Sequence, residues 1–94
     1  MTKEEKKTFQ DALRVFGGRN QITVALEEMS ELQKEFCKYL RNDSSFSTVN
    51  ITEEMADVEI MLEQMKMLFQ CDDAVEEQSQ YKVQRLRERI DRIA

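Results

Sequence analysis

Residues 21–40 read QITVALEEMSELQKEFCKYL, 41–50 read RNDSSFSTVN, and 51–69 read ITEEMADVEIMLEQMKMLF. The first block repeats apolar residues at Ile22, Ala25, Met29, Leu32, Phe36 and Leu40. The third repeats them at Ile51, Met55, Val58, Leu62, Met65 and Phe69. Steps of three and four are the period of an amphipathic helix, and no strand-like alternation competes with them. The middle block is rich in Asn, Asp and Ser, which bond to their own backbone and favour turns. Two helices joined by a short polar loop form an αα-hairpin.

The same reading extends outward. Phe9, Ala12, Leu13 and Phe16 share a face of a helix from about Lys3 to Phe16, and GGRN at 17–20 ends it. Asn20 is the expected N-cap of the second helix, and Asn50 with Glu53 the expected capping box of the third. After a break at QCDD, Asp73 with Glu76 starts a last helix carrying Val83, Leu86, Ile90 and Ile93 at heptad spacing. The expected fold is all-α, a four-helix antiparallel bundle forming a single domain over residues 1–94. A chain of this size buries only roughly 65% of its unfolded surface, so completion by oligomerisation is expected.

Composition narrows the function classes. The chain has a formal net charge of −5, and 35% of its residues are charged. That balance disfavours nucleic-acid and anionic-membrane partners, whose phosphates would be repelled. A small phosphorylated ligand is not disfavoured, because a metal ion reverses the local sign. No apolar run is long enough for a membrane span, and no signal-like segment opens the sequence, so a cytoplasmic location is expected. Cys37 and Cys71 lie in apolar helical patterns and read as reduced thiols.

The hairpin carries one pattern twice: EEMSEL from Glu27 and EEMADV from Glu53. With Met29 at zero on a helical wheel, Glu28 falls at about −100° and Glu31 at about −160°. With Met55 at zero, Glu54 and Asp57 take the same two positions, in the same order. Each pair flanks its apolar stripe in the same way, so packed antiparallel the pairs can face one another. Four anions so placed repel unless a hard cation joins them, and carboxylate oxygens suit Mg²⁺ or Mn²⁺. The chain has no histidine, which excludes Glu-x-x-His di-iron sets and His-dependent zinc sites. A lone Glu-x-x-Glu marks any solvated helix face; the paired pattern is what points to a metal. Glu27 and Glu53 fall at about +160°, on the exposed side. Glu35, at about −120°, either supports the site from behind the ligands or pairs with Lys34 and Lys38.

Together, EExxE at 27–31 and ExxD at 54–57 resemble the signature of the MazG-like all-α nucleoside triphosphate pyrophosphohydrolases. The resemblance covers most of the chain, from about Gln21 to Ile90. It implies hydrolysis of the α–β phosphoanhydride of nucleoside triphosphates to monophosphate and pyrophosphate. It implies that Glu28, Glu31, Glu54 and Asp57 hold Mg²⁺ and that Glu27 assists. It also implies dimers or tetramers with sites near subunit contacts. In the last helix, Lys82 and Arg89 match positions at which the family carries Lys and Arg, while Leu86 replaces its Asn. Lys82 and Arg85 can neutralise triphosphate charge or serve the helix dipole. Gln21 resembles a polar position preceding the first motif, meeting substrate or capping a helix. Phe9, Phe16, Phe36 and Tyr39 are candidate walls for a base and fit a helix core equally well. Two alternatives stand beside this reading: a non-catalytic helical interaction module, and a phosphoribosyl-ATP pyrophosphohydrolase-like enzyme.

Overall fold

The computed structural model describes residues 1–94, folded as four α-helices: α1 (Lys3–Phe16), α2 (Gly18–Leu40), α3 (Thr48–Leu68) and α4 (Asp72–Ile93). It contains no strand. The chain is all-α, and none of its helices is long and apolar enough to cross a membrane.

Local chemistry sets each boundary. Thr2 opens α1 with a reciprocal capping box: its hydroxyl accepts from the Glu5 N–H, and the Glu5 carboxylate accepts from the Thr2 N–H. Gly17, at φ +89°, both ends α1 and begins α2, so the expected Asn20 cap is not used. A glycine tolerates that conformation where other residues are strained, and the reversal therefore needs no linker. Asn20 lies inside α2, its amide donating to Gln21 Oε1 at 3.0 Å. Ser47 replaces the expected Asn50 cap, its hydroxyl accepting from the Asn50 N–H at 3.0 Å. Gln70, at φ +51°, turns the chain into α4, which starts at Asp72 without the expected Asp73 side-chain cap. Lys66 ties this corner, bonding Glu63 at 3.2 Å and Asp72 at 3.5 Å. Burial works against its charge, but the two carboxylates outweigh that and raise its pKa.

The α2–α3 loop is held by Asp43, which accepts from the Ser45 N–H at 2.8 Å and its hydroxyl at 2.7 Å, with Arg41 at 3.3 Å. These partners lower its pKa to about 2. Tyr39 and Phe46 meet edge to face across the same loop.

The hairpin α2–α3 is the centre of the molecule, and α1 lies against both of its helices. Phe9 of α1 is buried, beside a hollow it lines with Ala56 and Ile60 of α3. Gly18 sits so close to α3 that an added Cβ would lie 2.8 Å from Leu68 Cδ1. The helices meet along lines that only partly follow the apolar stripes, Ala25 being the one stripe residue of α2 that is buried. Gln21, Ala25 and Glu35 are the buried residues of α2, and Met61 and Gln64 those of α3. Met55, Leu62 and Phe69, at the centre of the α3 stripe, stay 44%, 45% and 63% exposed. Met61 lies about a third of a turn from Met55 around the helix, and Gln64 lies on the side opposite it. Helix α3 is thus rotated, and its stripe is only partly covered, Ile51, Val58 and Met65 being half-buried. Helix α4 touches α3 alone and buries none of its residues.

Candidate metal centre

A polar bond fixes the hairpin register. Gln21 Nε2 donates to Gln64 Oε1 at 2.7 Å, and both residues are buried. One heptad onward along α2 is Glu28, and one heptad back along α3 is Asp57. Antiparallel packing thus sets Glu28 opposite Asp57, with Glu54 one turn away on α3. Carboxylate oxygens of Glu28, Glu54 and Asp57 all lie within 4.8 Å of one another. Glu28 and Glu54 are half-buried and Asp57 is exposed, which leaves the group open to solvent on one side.

The crowding has an electrostatic signature. Burial raises the Glu28 pKa, and the charges of Asp57, Glu54 and Glu31 push it further. Burial likewise raises that of Glu54, followed by the charges of Asp57, Glu31, Glu35 and Glu53. Both shifts disfavour ionisation, so a counter-charge would stabilise the group.

The donors fit a hard divalent cation. The group is all oxygen, with neither imidazole nor thiolate. Mg²⁺–oxygen bonds of about 2.1 Å put neighbouring octahedral ligands about 3 Å apart and opposite ones about 4 Å apart. Oxygens of the three carboxylates that lie within 4.8 Å of one another are on the scale of that arrangement. Ligands drawn from two helices, with one side open, leave room for the water Mg²⁺ retains.

The other expected site residues are placed unequally. Glu31 is exposed and outside the trio, although its charge is felt by Glu28 and Glu54. Glu27 is exposed on the far side of its helix, as its wheel position implied. Gln21 is engaged with Gln64 at the helix seam, because the close contact of α2 with α3 buries its amide and leaves it no open side. Lys82 and Arg85 lie on the exposed α4, where the Arg85 guanidinium sits 5.7 Å from the Tyr81 ring centre. Of the candidate base walls, Phe9 is core, whereas Phe16, Phe36 and Tyr39 are exposed.

Glu35 was readable only as an alternative. It is buried, accepts from Lys38 Nζ at 3.3 Å through Oε1, and its buried Oε2 has no partner. The missed signal was a second seven-residue repeat beside the apolar one. Gln21, Glu28 and Glu35 form a polar line on α2, answered by Gln64, Asp57 and Asn50 on α3. No family model matches this sequence, and no curated protein or solved structure matches it either.

Proposed function

We propose that this chain is a Mg²⁺-dependent nucleotide pyrophosphohydrolase that cleaves the α–β phosphoanhydride of (deoxy)nucleoside triphosphates. The observation that carries this reading is the convergence of Glu28, Glu54 and Asp57 from two helices at the spacing of the EExxE and ExxD motifs. The same motifs support kinship with the MazG-like enzymes. The reaction adds water at phosphorus, breaks the bridging P–O bond, and yields a monophosphate and pyrophosphate. Bound Mg²⁺ would supply charge neutralisation and orientation of the triphosphate oxygens. Glu28, Glu54 and Asp57 would hold the ion, with Glu31 beside them, and the proton of the attacking water would pass to a neighbouring carboxylate.

A second copy of the chain belongs to this reading. The accessible surface is 7565 Å², against about 5,700 Å² for a compact monomer of 11.2 kDa. The radius of gyration is 16.3 Å, against about 12 Å. The surplus of about 1,900 Å² is on the scale of an obligate subunit interface. The exposed part of the α3 stripe and the Val83, Leu86, Ile90 and Ile93 line of α4 are the apolar surfaces such an interface would cover. They also favour the second reading, a helical interaction module whose acids are merely solvated.

Pyrophosphate release separates the two. The protein with Mg²⁺ would meet a panel of ribo- and deoxyribonucleoside triphosphates, with EDTA and Glu54→Gln as controls. Equimolar monophosphate and pyrophosphate, lost with either control, supports the hydrolase. A folded oligomer inactive on the whole panel and unresponsive to Mg²⁺ supports the interaction module.

A further inference from the structure

Two apolar faces of the chain stay exposed, and the charges beside them differ in sign. On α3 the exposed residues of the stripe are Met55, Leu62 and Phe69. With Leu62 at zero on the wheel, Glu54 falls at about −80° and Glu59 at about +60°, so an acid borders each side. The whole helix carries five acids, Glu53, Glu54, Asp57, Glu59 and Glu63, and one base, Lys66. On α4 the line is Val83, Leu86, Ile90 and Ile93. With Leu86 at zero, Lys82 and Arg89 fall at about −40° and −60°, and Arg85 and Arg92 at about −100° and −120°. Residues 81–94 hold five bases against two acids. Of the bases, Arg87 is bound to Asp91 at 2.6 Å, whereas Lys82, Arg85, Arg89 and Arg92 form no ion pair.

These signs choose among the ways the faces can be covered. Pairing α4 with α4 of a second copy sets bases against bases, and pairing α3 with α3 sets acids against acids. Pairing α3 with α4 brings opposite charges to the rims of one apolar seam, which is the favourable match. A single chain does not make that pairing. Gln70, at φ +51°, turns the corner, and Lys66 joins Glu63 to Asp72 across it. Val75 shares a small hollow with Leu62, Met65 and Phe69 at this corner, yet no residue of α4 is buried. The lengths also agree: 21 residues in α3 and 22 in α4 make each helix about 30 Å long.

Resting on the second copy introduced above, we propose that two chains pair through unlike helices: the apolar, basic half of α4 in each protomer lies along the acid-rimmed stripe of α3 in its partner. The contact is reciprocal, so it closes with two-fold symmetry and leaves neither face over. Two such seams account for the surplus surface of about 1,900 Å² on each copy. The pairing stands whether or not the acids also hold a cation or meet a nucleotide.

The test is subunit mixing, read by size exclusion with light scattering at tens of micromolar. Leu62→Glu damages the α3 face, and Leu86→Glu damages the α4 face. Either variant alone is expected to be a monomer of wild-type helix content by circular dichroism, because both seams of its homodimer are damaged. Mixed in equal amounts, the two are expected to form a dimer, since one seam then joins an intact α4 to an intact α3. Met55→Glu takes the place of Leu62→Glu should that variant unfold. Wild-type association is expected to weaken several-fold between about 0.05 M and about 0.5 M NaCl, because salt screens attraction between exposed charges. A mixture that stays monomeric, or association that tightens with salt, overturns the proposal. A dimer of Leu62→Glu alone would assign the seam to α4 with α4, and a dimer of Leu86→Glu alone to α3 with α3. Either result overturns the exchange and leaves the second copy standing, whereas a wild-type monomer removes both.

Discussion

At the scale of single residues, the carboxylates are in conflict with their own fold. Glu28 and Glu54 are more easily protonated in the folded chain than in the unfolded one, because burial and neighbouring anions raise their pKa values. The folded state therefore binds protons more tightly, and stability rises as pH falls through the raised values toward the ordinary glutamate value of about 4.3. Asp43 acts in the opposite sense. Its pKa is lowered to about 2, so its contribution is present above the ordinary aspartate range and is lost as pH falls toward 2. Urea unfolding of metal-free protein is expected to show greatest stability in mildly acidic solution, and saturating Mg²⁺ should flatten the rise by replacing protons as the counter-charge. A second prediction concerns the ligands. Mg²⁺ or Mn²⁺ should raise the melting temperature of wild type, because a ligand specific to the native state stabilises it. Glu28→Gln and Asp57→Asn should each abolish that increment while matching or exceeding wild type in EDTA. Differential scanning fluorimetry with and without cation checks both halves.

At the scale of elements, helix ends are decided by two small residues. Gly17 meets nothing within 4 Å of an added Cβ, yet its φ of +89° is one that side-chain-bearing residues rarely adopt. Gly17→Ala is thus expected to cost about 1–2 kcal/mol through backbone strain alone. Ser47→Ala should cost about 1 kcal/mol by leaving the Asn50 N–H without its cap. Chemical denaturation of the two variants, and of the pair, checks these values; the sites are at opposite ends of the hairpin, so the effects should add. Gly17 is legible in the sequence as the end of α1, whereas the starts of α2 and α3 fall to Gly17 and Ser47 rather than to the expected Asn20 and Asn50. Several Ser, Thr and Asn residues crowd the start of α3, and which one takes extended backbone geometry depends on how the neighbouring helices dock.

At the scale of the molecule, the open face is the dominant feature. Val83, Leu86, Ile90 and Ile93 are 66%, 52%, 41% and 81% exposed, although their spacing is that of a packed seam. Light scattering coupled to size exclusion is expected to show a dimer or a larger even-numbered assembly. Leu62→Glu with Leu86→Glu should shift it toward monomer, and the melting temperature of wild type should rise with protein concentration. A wild-type monomer at tens of micromolar would remove the second copy from the proposal. The exposed α4 also explains where Lys82 and Arg85 stand: neither is held against the acids of its own chain.

Four helices, the polar loop between α2 and α3, and the carboxylates that converge were legible in the one-dimensional pattern. Helical period and turn chemistry are local properties, and Glu28, Glu54 and Asp57 share a flank by arithmetic alone. What tertiary structure decided was which flank faces inward. The apolar stripes looked like the seam because burial of apolar surface usually governs packing. Here the buried bond of Gln21 to Gln64, the close approach at Gly18 and the packing of α1 on α3 rotate the hairpin about its own axes. Such a rotation depends on contacts between residues distant in the chain, which no local period encodes. It buries the oxygen of Glu35 and leaves Met55 and Leu62 of α3 facing outward.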